Sequence, residues 1–445
     1  MTAVVLCCRM LLASVVFSVS LARLSAVTTH PFSLQSTSEV IATIAASCER
    51  CDWSVPGREA VVLQLSVDGR YSQHLVLTRG AVASEYRVQL GTLPPGSHQL
   101  SIAPDAARSA SDAGEVHIDR VEVAAFDDQQ PEFFWLSHAP ILRARPGTLE
   151  RFSDIPLLMY VEQDVAGESG SRYSLQYTVI FTNEDGGTPT DRLMATWGRT
   201  TDIEFVYGLT DPDGPAEIQA EGHTWTPFHG PREGTHPMLW VSTTNNMVAD
   251  HGPEDLVRFA PAPQLVSLAG ASRERLMDDN PWTYAVTSAE MLREHRVDPA
   301  AKPGSGTIVD PRRYVTIEAC AQVQGAALAF DVGVPQAGDG TTWLPTDTDP
   351  HFRIERGGCF RASAPLPAGV SAADVTSLRI RAYPRAPRDG ESSPLAPSVT
   401  LNAVTKLFML DERYTPTPLA IAWKGSLPVG TDGTATPIPV APSRP

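Results

Sequence analysis

Lysine is almost missing: Lys302, Lys406 and Lys424 are the only three in 445 residues, and the formal charge is −16. Arginine is plentiful, but the 51 acids outnumber the 35 basic residues, and that balance argues against a nucleic-acid reader and suits an anionic membrane surface poorly. Its dispersed acids read mainly as solvated surface. Long apolar runs are also scarce, and beyond the N-terminal stretch no segment approaches bilayer-spanning length. There is no Gly-x-Ser-x-Gly elbow, no His-Glu-x-x-His and no phosphate loop. Serine hydrolases, zincins and nucleotide enzymes are therefore unsupported. No internal repeat is present.

The N-terminus reads "MTAVVLCCRMLLASVVFSVSLARLSA", apolar from Ala3 to Ala22, with Ser20-Leu21-Ala22 fitting the small-x-small cleavage rule. Residues 1–22 are expected to be a signal peptide, cleaved as late as residue 26, and the product to be secreted, extracellular or periplasmic. Arg9 interrupts the run, which disfavours the alternative of a membrane anchor. Cys7 and Cys8 leave with the signal, and Cys48, Cys51, Cys320 and Cys359 remain. Four cysteines allow three pairings. Local closure favours Cys48–Cys51 and Cys320–Cys359 as structural disulfides. A redox role for "CERC" lacks a surrounding βαβ pattern, and a zinc site lacks a second ligand pair.

Short alternating runs dominate. Residues 27–127, with "AVVLQLSVDGRYSQHLVLT" and turns at Asp-Gly and Pro-Pro-Gly, read as a β-sandwich of jelly-roll type. "DDQQPE" opens a central β-rich domain over 132–300, which holds Trp135, Trp197, Trp225, Trp240 and Trp282. Its clearest helix is "TSAEMLREHRV", with Thr287 or Ser288 as N-cap, and "APAPQLVSLAGASRERLMDDNPW" is a second, shorter candidate. "PAAKPGSG" is a further linker, and 307–423 reads as another β-sandwich in which Cys320 and Cys359 tie two strands. The tail 424–445 is rich in Pro, Gly and Thr, a composition that predicts disorder. The fold class is mostly β and multidomain, a central domain flanked by two sandwiches.

Candidate chemistry lies in the centre. Asp202 and Glu204 stand two apart on a strand, so both point to one face, with Ile203, Phe205 and Tyr207 on the other. Two carboxylates on one buried face beside Arg199 call for a cation, an arginine partner or acid–base work. The plain alternative is a solvated strand face. "TNEDGGTPTDR" packs Glu184 and Asp185 before a Gly-Gly turn, where oxygen donors suit a divalent cation such as calcium. The alternative is an ordinary hairpin turn. His223 and His236 follow on later strands, His223 as a catalytic imidazole and His236 as a further metal ligand. Singly, each histidine reads equally well as a structural residue.

The order Asp202-Ile203-Glu204, His223, then Gly234-Thr235-His236-Pro237 leading into Met238 to Val241 resembles the vacuolar-sorting-62-like group and, less closely, the secreted necrosis-inducing toxins. Ile203 stands where those proteins usually have Trp, and Asn245-Asn246 where they have Ser-His. In the toxins, acid and His side chains hold a divalent cation that serves membrane attack, and the resemblance implies such a cation at the matching residues. Two function classes follow. One is a secreted hydrolase or lyase acting on an extracellular polymer, best met by a glycan, with Asp202, Glu204 and His223 as acid–base or cation-binding groups. Trp197, Arg199, Trp225 and Trp240 would hold the substrate, and carboxyls about 5 to 9 Å apart would fit a glycosidase. The other is a non-catalytic surface protein with a structural cation; a toxin-like or lipid-acting protein comes third.

Overall fold

The structure is a computed structural model that describes residues 27–166, 172–211, 214–336, 340–387 and 396–439. The signal-peptide expectation and the last residues of the tail lie outside the described residues. Alternation sets most strands, and turn chemistry joins them. Val62–Val67 and Arg70–Val76 pair across Asp68 and Gly69, whose φ of 51° and 75° make the tight primed turn that Asp-Gly favours. The chain is mostly strand, with short helices between. No helix among the described residues is long and apolar enough to cross a membrane, which says nothing of a β-barrel.

One sheet runs in the order Thr28–Leu34, Gly96–Pro104, Val62–Val67, Arg70–Val76, and faces a second of Ser84–Leu93, Ser38–Cys48, Val116–Phe126. Buried Val40, Ile44, Leu63, Leu65, Leu100 and Ile102 fill the space between them. The central region is built on a six-stranded sheet ordered Thr224–Pro227, Ala216–Ala220, Ile203–Leu209, Arg172–Phe181, Pro156–Ala166, Gln264–Leu265. A smaller sheet around His236–Val241 and Ile141–Arg143 packs on it through Leu142, Val179, Leu239 and Val241. In the last region, Tyr314–Gln324 and Ala326–Pro335 lead two facing sheets, closed over Ile317, Phe330, Phe360 and Leu401.

Both disulfides close locally, Cys48–Cys51 and Cys320–Cys359. Cys320 and Cys359 are directly opposite on paired strands. The tail departs from expectation. Residues 424–439 are not a loose segment: Trp423–Val429 pairs with Ser398–Leu410, and Thr436–Pro437 with Ser377–Pro384. Open sheet edges capture this stretch despite its composition, and Val429 and Ile438 enter the core. The long helix also starts earlier than its Ser and Thr caps imply. It runs Trp282–Arg293 with Thr287 and Ser288 inside it, since Pro281 has the φ of a first helical turn. A helix at Thr190–Trp197, bounded by Pro189 and a left-handed Gly198, replaces what reads as a turn region.

Charged groups clamp the regions together. Arg361 is fully buried, and its Nη1 and Nη2 donate to Asp278 at 3.1 and 2.6 Å while its Nε donates to Glu318 Oε2 at 2.8 Å. Tyr284 Oη takes another Arg361 proton at 2.8 Å, and Lys406 reaches Asp278. Asp278 and Tyr284 belong to the central helices, whereas Glu318, Arg361 and Lys406 stand on strands of the last region. On the other side, Trp53 inserts into the central core and donates its indole N–H to Glu290 at 3.0 Å. Removing one partner of a buried ion cluster strands the others, so Arg361→Leu should cost about 3–5 kcal/mol. Chemical denaturation measures it, and a loss below about 1 kcal/mol would mean that water reaches the cluster.

Candidate functional site

The strand Ile203–Leu209 runs in the middle of the central sheet and brings Glu204 beside Asp202, the residue just before it. Glu204 is the register partner of Val179, and Ile203 of Ile180. Ile203 and Ile180 share a second apolar cluster, whereas Val179 belongs to the main core, so the two acids lie on the opposite side from Ile203. Tyr207 does not keep the expected alternation. A register shift beside Tyr177 carries it into the main core, next to Tyr177 and Phe228.

Asp202 is 1% exposed and Glu204 4%. Asn246 Nδ2 donates to Asp202 Oδ2 at 3.2 Å, and Arg199 Nη1 lies 3.7 Å from Oδ1. Gln219, with its amide turned to satisfy both neighbours, donates to Glu204 Oε2 at 3.0 Å and to the Phe205 carbonyl at 3.2 Å. His223 Nδ1 is 3.9 Å from Glu204 Oε2, and its Nε2 is 3.3 Å from Asn245 Nδ2. The His223 side chain is 55% exposed, which makes it the solvent side of the cluster. Its backbone is left-handed (φ 57°) just after a left-handed Gly222, a conformation that non-glycine residues hold only where their surroundings impose it.

Glu184 joins the same acids. Its Oε1 accepts the Thr188 amide at 2.6 Å. The Gly186-Gly187 turn allows this approach: a Cβ on Gly186 would stand 2.4 Å from Thr244 Oγ1, and one on Gly187 2.6 Å from both Glu184 Oε1 and Asn245 Oδ1. Burial, then the charge of Asp202, raises Glu184 from the ordinary 4.5 to about 7. The same two causes hold Glu204 well above 4.5, with a hydrogen bond shared with Asp202 adding to them. Asp202 and Glu204 thus act on one another as neighbouring carboxyls.

Other proposed site residues lie elsewhere. Asp185 turns away from Glu184 into an arginine cluster, 2.7 Å from Arg145 Nη2, 2.8 Å from Arg151 Nη2 and 2.7 Å from Ser153 Oγ. His236 is buried between Ala139 O (2.9 Å) and Glu39 Oε2 (3.2 Å) of the N-terminal sandwich. Glu184, Asp185 and His236 therefore do not form one metal site. Trp240 is core: it is 5% exposed and its indole N–H donates to Pro253 O at 2.8 Å. Trp197 lies between Arg199 and Arg356, 5.9 and 4.7 Å from their guanidinium carbons, at the seam with the last region. Arg199 itself is 2% exposed and pairs with Glu274. Trp225 stays near the cluster, 6.3 Å from Phe205 and 5.4 Å from Tyr173. Gln219 and Glu274 carried no signal in the sequence, and Asn245-Asn246 stood out there only as a departure from the resemblance; Asn246 is left-handed (φ 51°) in the turn they form.

A divalent cation fits this set poorly. Among the described residues no group of three or more His, Cys, Asp or Glu is arranged for one, and Asp202 already faces a guanidinium and an amide. Comparison with known proteins finds no matching family model and no matching curated protein.

Carboxyls that hold their protons more tightly when folded favour the folded state below the unfolded pKa, and that advantage fades as pH rises through the folded value. Glu184 and Glu290, each raised by burial to about 7, and Asp154, raised by burial to about 8, put that window between about 4.5 and 8. The melting temperature should fall by several degrees from about pH 5 to 8. Asp202→Asn removes a charge that raises both Glu184 and Glu204, and should flatten the fall. An equal fall in both proteins would separate Asp202 from this titration.

Proposed function

We propose that the chain is a secreted enzyme that acts on an extracellular polymer, a polysaccharide, by proton transfer at Glu204, Asp202 and His223. The observation that carries this reading is their convergence, with a half-exposed imidazole 3.9 Å from a buried carboxyl whose pKa burial and the Asp202 charge raise. Perturbed carboxyls gathered with a histidine are the groups from which acid–base catalysts are made. Glu204 serves as the acid, the Asp202 charge keeps it protonated, and His223 exchanges its proton with solvent. Gln219 and Asn245 orient the two side chains. The rings of Trp225, Tyr173 and Phe205 lie alongside, the surface type on which a sugar ring packs. Export agrees with two closed disulfides.

A pair of neighbouring acids can divide acid and base work between its members. It suits a hydrolysis or elimination in which one group gives a proton and its neighbour takes one. A second reading, a non-catalytic interaction protein with the acids as a structural knot, is favoured by one observation: Asp202 is 1% exposed.

Glu204→Gln keeps the shape and removes the proton. A polysaccharide panel should show turnover by the natural chain and a loss of about 100-fold or more in the variant, with the melting temperature unchanged within a few degrees. Undiminished turnover would remove Glu204 from the chemistry, and no turnover on any polymer would favour the structural reading.

A further inference from the structure

A second place in the molecule is built for a ligand. Two hollows of about 240 and 370 Å³ lie along the junction of the N-terminal sandwich with the central region, and Thr78, Arg79 and Trp282 line both. The Arg79 guanidinium carbon sits 4.7 Å over the Trp282 ring. Its Nη1 donates to the Glu85 carbonyl at 3.1 Å, and the Glu85 carboxylate, whose charge also acts on Arg79, makes its ion pair with Arg120. Other sheltered arginines in this chain show what is missing. Arg145 has Asp154 and Asp185, Arg361 has Asp278 and Glu318, and Arg381 has Asp331 and Asp347.

Half-burying a guanidinium with no ion pair of its own is costly, and burial lowers the hold of Arg79 on its proton. The helix Trp282–Arg293 begins at the same spot with no side-chain cap, so the positive end of its dipole adds to the field of Arg79. The remaining wall is mixed: Tyr86 and Leu157 offer ring and apolar surface, Asn280 and Gln264 amides, and Arg87 and Glu85 one charge of each sign. Flat apolar surface beside amides, with arginines outnumbering carboxylates, is the recognition chemistry of a sugar that carries an acid group.

We infer that this junction binds an acidic oligosaccharide, its carboxylate or sulfate on Arg79 and its ring beside Trp282. The site is separate from the Asp202–Glu204 dyad and does not rest on that dyad being catalytic. Calorimetric titration of the full chain at low salt tests it, with a galacturonate hexamer, a heparin-derived hexasaccharide and neutral maltohexaose as probes. At least one acidic probe should bind about tenfold or more tightly than maltohexaose, and the one that does identifies the acid group. Arg79→Gln should weaken that binding about tenfold or more, Arg79→Lys less, and Glu204→Gln not at all. Binding should also change tryptophan emission in the natural chain and not in Trp282→Phe, a readout that stands if Arg79→Gln fails to fold. Equal affinity for all three probes, unchanged binding by a folded Arg79→Gln, or an unchanged emission response in Trp282→Phe would overturn the inference.

Discussion

Buried charge organises this molecule, and the pairing of Arg361 with Asp278 and Glu318 is the contact on which its other charges depend. The short helix Arg275–Asp279 holds Asp278 against the last region through Arg361 and Lys406. Glu274, immediately before that helix, pairs with Arg199, and Arg199 faces Asp202. A line of desolvated ions therefore runs from the C-terminal sandwich to the acid dyad, and each member is tolerable because its neighbour is fixed. Glu274 shows the effect: burial pushes its carboxyl up, yet the arginines around it, Arg199 foremost, bring it below the usual range.

The two carboxyls beside Asp202 show the opposite balance. Arg273 and Arg199 do not outweigh burial and the Asp202 charge, so the pKa values of Glu204 and Glu184 are raised. Carboxyls raised in this way cost stability as pH rises towards neutrality, and such perturbed groups cluster at functional sites. Left-handed backbone at His223 and the Gly186-Gly187 turn add strain and close contact at the same place. Local rules are broken together here, and such places are where a structure serves chemistry in preference to stability.

The parts of this design that were legible in the sequence are those with short-range causes. Strand alternation put Asp202 and Glu204 on one face, Asp-Gly marked a hairpin, and loop closure chose both disulfides. His236 and Asp185 misled because their partners are remote: Glu39 is on the N-terminal sandwich, and Arg145 precedes Asp185 on another element. Trp240 looked like a sugar platform because composition cannot distinguish a buried indole from an open one. Tail composition predicted disorder because it does not register the unpaired edges of Ser398–Leu410 and Ser377–Pro384 waiting in the same chain.

The same distinction separates the two proposed sites. The dyad's chemistry is carried by residues within one stretch, so spacing alone drew attention to it. Arg79 and Trp282 are far apart in sequence and unremarkable individually; only the packing of a hairpin end against a helix start stacks one on the other. An arginine so placed has its charge sheltered from water and its flat face occupied, which leaves the edges of the guanidinium as its remaining polar contact. Geometry of that kind specifies the sign and shape of a partner before any partner is known.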